Sequence, residues 1–198
     1  MYTTLTDYFS SLYSLMETMV VTDQDGKILP LDQGGDRVVQ DLLRVKSGGK
    51  KVMLAGNGGS AAIASHVQND LFKRVGIKAI VFTEQPLLSA LANDEGYETI
   101  FEWPIRQWGD HGDLMIAVSS SGRSANILRG ADAAINKGCG LITFTGFHPE
   151  NPLRGKGHIN FYVDSNSYGH VETTHAAATH FITDRAMILE YPESEVPA

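Results

Sequence analysis

The sequence has a single cysteine, no excess of positive charge and no long apolar run. One thiol, Cys139, cannot close an internal disulfide, and this suits a reducing compartment. Lys+Arg 16 against Asp+Glu 23 leaves a net charge of -7, so no broad basic field invites nucleic acid or an anionic membrane surface. No stretch approaches the roughly 20 apolar residues that span a bilayer. The start, Met1-Tyr2-Thr3-Thr4-Leu5-Thr6-Asp7, lacks the basic region of a secretory signal. These absences leave a soluble, acidic, cytoplasmic chain of 198 residues, enough for one good core. What the chain does have is 20 glycines and seven histidines, and their placement carries the reading.

Leu5, Tyr8, Phe9, Leu12, Leu15, Met16 and Met19 recur at helical spacing, so a helix is expected over Leu5–Val21. The stretch Thr22-Asp23-Gln24-Asp25-Gly26-Lys27 is turn chemistry. Gly34-Gly35-Asp36 is expected to close a loop before a second helix through Val38, Val39, Leu42, Leu43 and Val45. From Lys51 the pattern changes to short apolar runs at Val52–Ala55, Ala79–Phe82, Leu114–Val118, Leu141–Phe144 and Asn160–Val163. Helical patterns lie between most of them, at Ala61–Lys73, Pro86–Ala92 and Ser124–Asn136, with a last one at Glu172–Leu189. Strand–helix alternation predicts an α/β fold, a parallel sheet covered by helices on both faces. Ligands of such sheets bind at the carboxyl ends of strands, so the loops there are where chemistry is expected. The expected division is a helical extension over 1–48, one domain over 49–192 and a frayed tail over 193–198.

Two of those loops run straight into helices. Gly56-Asn57-Gly58-Gly59-Ser60 follows the first run and Ser119-Ser120-Ser121-Gly122-Arg123-Ser124 follows the third. Each places glycine, hydroxyls and backbone N–H groups at a helix N-terminus, where the dipole favours an anion. The hydroxyls of Ser119, Ser121 and Ser124 can donate to a phosphate. Neither loop is a nucleotide P-loop or a dinucleotide fingerprint, so a small phosphorylated metabolite fits better than a nucleotide.

The helix after the first loop carries His66 and Asp70, four residues apart and on one face. The last helical region carries Glu172, His175 and His180. Two helices each offering a histidine and a carboxylate point to either a metal site or an acid/base pair.

The two loops together, Gly56-Asn57-Gly58-Gly59-Ser60 and Ser119-Ser120-Ser121-Gly122-Arg123-Ser124-Ala125-Asn126, resemble the sugar isomerase (SIS) domain, closest to its phosphoheptose isomerase branch. The order of elements agrees from about Lys50 to Leu189, and a helix ahead of the domain is also typical. The resemblance implies a single SIS domain with a five-stranded parallel sheet, phosphate held by the serine-rich loop, and a homotetramer with active sites at subunit interfaces. It implies an aldose–ketose isomerase acting on a phosphorylated sugar, sedoheptulose 7-phosphate by this branch. Asp70 would remove the proton α to the carbonyl and His180 would shuttle a proton to the enediol oxygens. Gly58, Gly59, Ser60 and Ser120 would complete the phosphate loops, and Asn57 and Asp94 would contact sugar hydroxyls.

The branch's metal positions fall on His66, Asp70, Glu172 and His180, implying one zinc ion. Asp70 stands where the branch has glutamate, Glu172 where it has glutamine, and Gly169 where it usually has aspartate. Aspartate is shorter by about 1.5 Å, a scale of misplacement that matters in a catalytic group. Glu172 adds a charge that strengthens the hold on a divalent cation. It is also eight residues from His180, about 12 Å of helical rise, so it must lie at the helix start or in the preceding loop to share an ion. His175 matches the branch motif without an assigned role. Two rival readings are a non-enzymatic SIS binding protein, of the kind that assembles with a replication initiator, and an isomerase for another phosphosugar. Elsewhere Cys139 is expected to be buried and inert. The segment of Trp103 and Trp108 is expected to pack on the sheet, and His111, His148 and His158 to lie on the surface.

Overall fold

A computed structural model describes residues 4–191; the expected tail at 193–198 lies outside them. In chain order the elements are α1 (Leu5–Glu17), β1 (Val20–Asp23), β2 (Ile28–Leu29), α2 (Leu31–Ser47), β3 (Lys51–Gly56), α3 (Gly59–Asp70), β4 (Lys78–Val81) and α4 (Gln85–Asp94). They continue as α5 (Glu102–Trp108), β5 (Leu114–Ser119), α6 (Ala125–Asn136), β6 (Gly140–Gly146), β7 (Ile159–Val163) and α7 (Tyr168–Glu190). A π-helical turn, Leu71–Val75, extends α3, and a 3₁₀ turn, Tyr97–Thr99, precedes α5.

The five apolar runs are all strands, and they pair in parallel in the order β7-β6-β5-β3-β4. Their residues alternate between two cores. Val52, Leu54, Ile116, Val118, Ile142 and Phe144 face α2, α3 and α7, while Met53, Ala55, Met115, Ala117 and Leu141 face α5 and α6. Burial on both faces is why these strands read as continuous hydrophobic runs.

The sheet has seven strands and is mixed, which corrects the expectation of five parallel strands. β1 pairs antiparallel with β7 and with β2, so a hairpin extends one edge. The turn chemistry at residues 22–27 is real. The Asp23 carboxylate accepts the N–H groups of Asp25 and Lys27 at 3.1 and 3.0 Å, and Gly26 takes φ 76°. The turn joins strands of four and two residues, too short to show a period of two. Helix α1 accordingly ends at Glu17, and Val20 and Val21 belong to the sheet.

Gly34 and Gly35 do not close a loop; they lie buried inside α2. A Cβ on Gly34 would stand 2.5 Å from Val21 Cγ1, so glycine here lets the helix cross β1 at close range. In α5 it is Pro104 and Ile105 that pack inward, whereas Trp103 and Trp108 are exposed. His111 and His148 are exposed as expected. His158 is instead partly buried, with Nδ1 accepting the Leu141 N–H at 3.0 Å and Nε2 2.8 Å from Asp41. Burial, with Asp113 adding, pushes the buried Cys139 thiol up to about 11, which suits an unreactive group. No helix among the described residues is long and apolar enough to cross a membrane.

Candidate functional site

Helices α3 and α7 lie side by side in parallel. Gly59 meets Glu172, His66 meets His180, Asp70 meets Thr183 and Arg74 meets Asp184, a near-constant offset along both chains. The amino end of α3 begins at the first loop, at the carboxyl end of the sheet. Residues on its α7 side therefore step away from the loop at about 1.5 Å each.

Part of the way down this groove, His66, Asp70 and His180 come together. Asp70 is 4% exposed, while the side chains of His66 and His180 are 53% and 49% exposed. Asp70 Oδ2 lies 3.3 Å from His66 Nε2 and 3.8 Å from His180 Nδ1, and the two rings approach to 4.6 Å between centroids. The Thr183 hydroxyl donates to the same oxygen at 3.5 Å, and Arg74 stands 3.9 Å from it while pairing with Asp184 at 2.7 Å. One donor atom from each of the three residues falls within a 4.8 Å span. A tetrahedral zinc ion with bonds of about 2.0–2.1 Å needs donors about 3.4 Å apart, so two imidazoles and a carboxylate at these separations fit such an ion.

Glu172 is not in this cluster. It is the fifth residue of α7, half-buried, and its carboxylate rests on Gly59 instead, where both oxygens occupy the place of a Cβ. Eight residues of helix separate it from His180, about 12 Å of rise, and Glu172 does not fold back across that distance. Of the four expected metal positions the structure joins three.

His175 faces the opposite way, fully buried, and donates from Nε2 to the Thr145 carbonyl at 3.0 Å. Desolvation pushes its pKa down to about 4, so the ring is neutral, and its Nδ1 has no partner.

The two loops sit against one another through a reciprocal amide pair. Asn57 Nδ2 donates to Asn126 Oδ1 at 2.9 Å, and Asn126 Nδ2 donates to Asn57 Oδ1 at 2.9 Å. Asn126 Oδ1 also accepts the N–H of Ile127 in the first turn of α6, and the Tyr97 hydroxyl donates to Asn57 at 3.2 Å. Neither Asn126 nor Tyr97 is singled out by sequence, although Asn126 closes the serine-rich motif. Asp94, expected as a hydroxyl contact, is exposed at the end of α4, where it accepts from Asn93 at 2.7 Å.

Within the serine loop, Ser119 Oγ accepts the Gly122 N–H at 3.2 Å and Ser121 Oγ accepts the Arg123 N–H at 3.3 Å. Both hydroxyl hydrogens are left to point at a ligand. Ser124 is the N-cap residue of α6, yet its side chain makes no capping bond. Ser120 and Ser60 are buried, and Ser120 Oγ is unpartnered. Gly122 has φ 60°, and the Asn151 amide fills the place of its Cβ, so the β6–β7 connection supports the loop from below.

The sequence model of the SIS domain family matches residues 7–146. The chain is 31% identical over 173 residues to a phosphoheptose isomerase of Shewanella denitrificans, covering 83% of this chain and 86% of that protein. It is 32% identical over 157 residues to a phosphoheptose isomerase of Shewanella sediminis, covering 75% and 79%. Among solved structures, a phosphoheptose isomerase from Francisella tularensis superposes with a TM-score of 0.80 at 22% identity, covering 92% of this chain and 95% of that one. One from Neisseria gonorrhoeae gives 0.78 at 22% identity, covering 92% and 96%. The chain belongs to the SIS domain family.

Proposed function

We propose that the protein is an aldose–ketose isomerase of a phosphorylated sugar, with sedoheptulose 7-phosphate the first substrate to try. The observation that carries this is the His66–Asp70–His180 cluster on the same two helices that begin beside the clasped loops. The curated relatives are named phosphoheptose isomerases, which supports both the reaction and the substrate class.

The phosphate takes the hydroxyl hydrogens of Ser119, Ser121 and Ser124, with Ser60, Ser120 and the Gly58–Gly59 turn enclosing the near side. Docking at this remote end fixes the carbonyl end in the α3–α7 groove. Asp70 removes the proton on C1 of the ketose, and the released electron pair forms the C1=C2 bond of the enediol. His180 moves protons between the two oxygens, O2 gaining one and O1 losing one, and the proton on Asp70 returns to C2 to give the aldose. His66, Asp70 and His180 would hold a zinc ion, whose chemistry when bound is to polarise the carbonyl as a Lewis acid. Donor chemistry and spacing support that ion.

The exposed apolar row Leu5, Phe9 and Tyr13 on α1 supports a homotetramer in which subunits cover it. The retained acid and both histidines favour an enzyme over a binding protein on the same scaffold.

Turnover in deuterated water tests the reaction. Wild-type protein is expected to form aldose from sedoheptulose 7-phosphate with deuterium entering at C2. Asp70→Asn and His180→Ala are expected to lose about 100-fold or more in kcat, the usual contribution of a positioned acid or base. No deuterium in any member of a ketose phosphate panel, or full activity in both variants, refutes the reading.

A further inference from the structure

Glu172 differs from every other charged group near the two loops. Its carboxylate lies directly on Gly59, the first residue of α3, and no hydrogen bond or ion pair holds it among the described residues. The amides below it are already bonded within the loop. Ser60 N–H donates to Asn57 O at 3.0 Å, and the N–H groups of Ala61 and Ala62 donate to Gly58 O at 3.0 and 3.2 Å. An anion approaching this helix start therefore meets a negative charge and few unbonded donors.

The serine loop is its opposite. Ser119 and Ser121 accept backbone N–H groups, so their hydroxyls can only donate outward, and the exposed cation of Arg123 stands beside them. The Asn57–Asn126 pair holds the two loops at fixed separation, so one ligand spans both. The neighbouring loops are thus unlike in charge although alike in sequence pattern.

We propose that Glu172 is a specificity-determining residue that gives the two loops different tasks. The serine loop takes the single phosphate of the substrate. The Gly56–Ser60 loop with Glu172 takes an uncharged, hydroxyl-bearing stretch of the same molecule, and the carboxylate accepts from one of its hydroxyls. Sugars carrying a second anionic group at that stretch are rejected. The selection rests on the phosphosugar reading above, and it makes the substrate class a sugar monophosphate.

Even in a water-like dielectric, a carboxylate at contact range opposes a phosphate dianion by more than the energy of a tenfold change in affinity. Calorimetric binding at low salt of sedoheptulose 7-phosphate and sedoheptulose 1,7-bisphosphate, to wild type and to Glu172→Gln, measures the selection. The wild type is expected to prefer the monophosphate by about tenfold or more, and Glu172→Gln is expected to reduce that preference by about tenfold. Monophosphate affinity should move less than about threefold, since phosphate is held elsewhere. Glu172→Ala is expected to change the preference in the same direction.

A preference unmoved in both variants overturns the selection and leaves the phosphosugar reading standing. Failure of the wild type to bind either sugar overturns both. Metal content is measured in parallel on the same preparations. Equal content in wild type and Glu172→Gln agrees with a carboxylate outside the cluster. Loss of the metal in Glu172→Gln marks Glu172 as a ligand and overturns the assignment.

Discussion

His175 ties the fold of the site to pH in a way that can be measured directly. Its ring is fully buried against β6, with Nε2–H bonded to the Thr145 carbonyl and Nδ1 unpartnered. Burial lowers the pKa from 6.5 to about 4, although the Thr145 carbonyl pulls it upward. The unfolded chain takes up this proton near 6.5, whereas the folded chain refuses it until about 4. Between those values the unfolded state binds more protons, so stability is lost as pH falls through the window. Above 6.5 the full contribution is present, and below about 4 no more is lost. At about 1.4 kcal/mol for each pH unit between the two values, the loss amounts to roughly 3 kcal/mol. Urea unfolding of wild type and His175→Gln at pH 7, 6, 5 and 4 isolates the histidine's contribution, because the carboxylates titrate in both proteins. Glutamine keeps an N–H donor for Thr145 and has no proton to gain. The stability of wild type relative to the variant should fall by roughly 3 kcal/mol from pH 7 to pH 4. Parallel curves would show that the buried imidazole does not resist protonation and refute the reasoning.

Gly34→Ala places a methyl group 2.5 Å from Val21 Cγ1 inside the α2–β1 contact. Overpacking of this kind costs about 1–3 kcal/mol, so thermal unfolding should shift downward, and an unchanged Tm would mean that α2 and β1 do not meet so closely. On α1, Phe9→Ser with Tyr13→Ser removes the middle of the exposed apolar row without touching the core. Light scattering should give a tetramer mass for wild type at micromolar concentration and smaller species for the double variant; a monomeric wild type would sink the shared-interface proposal.

How much of this was legible in the sequence depended on distance along the chain. The parallel strands were readable because burial on both faces leaves an unbroken apolar run, as in Leu114–Val118. The β1–β2 hairpin was not, because Val20 and Val21 continue the spacing of α1 and two-residue β2 has no period to detect. Gly34-Gly35 reads as a break because glycine usually punctuates; only its neighbour Val21, far off in the chain, explains glycine within a helix. At the site, His66 and Asp70 share a face by spacing alone. His180 joins them through the pairing of α3 with α7, which no local pattern encodes. The Asn57–Asn126 clasp is invisible for the same reason, since its partners are separated by 69 residues.

The two acidic departures from the branch pattern are different in kind, and the α3–α7 pairing explains both. A shorter acid at 70 threatens the cluster only if the helices keep the spacing that glutamate requires. Here the face of α7 near the cluster is built from small residues, Ala176, Thr179 and Thr183, and Thr183 itself donates to Asp70. Close approach of the helices returns the carboxylate to both rings, at 3.3 and 3.8 Å, so the missing methylene is absorbed by packing. No such adjustment helps Glu172. Parallel pairing in near-constant register fixes it opposite Gly59, about 10 Å of helical rise from the turn of His66, and a longer or shorter side chain cannot change which turn it faces. Asp70 therefore keeps the chemistry of its position with a different side chain. Glu172 keeps its place beside the loop and brings a charge to it, which is why its consequence is sought in substrate selection and that of Asp70 in turnover.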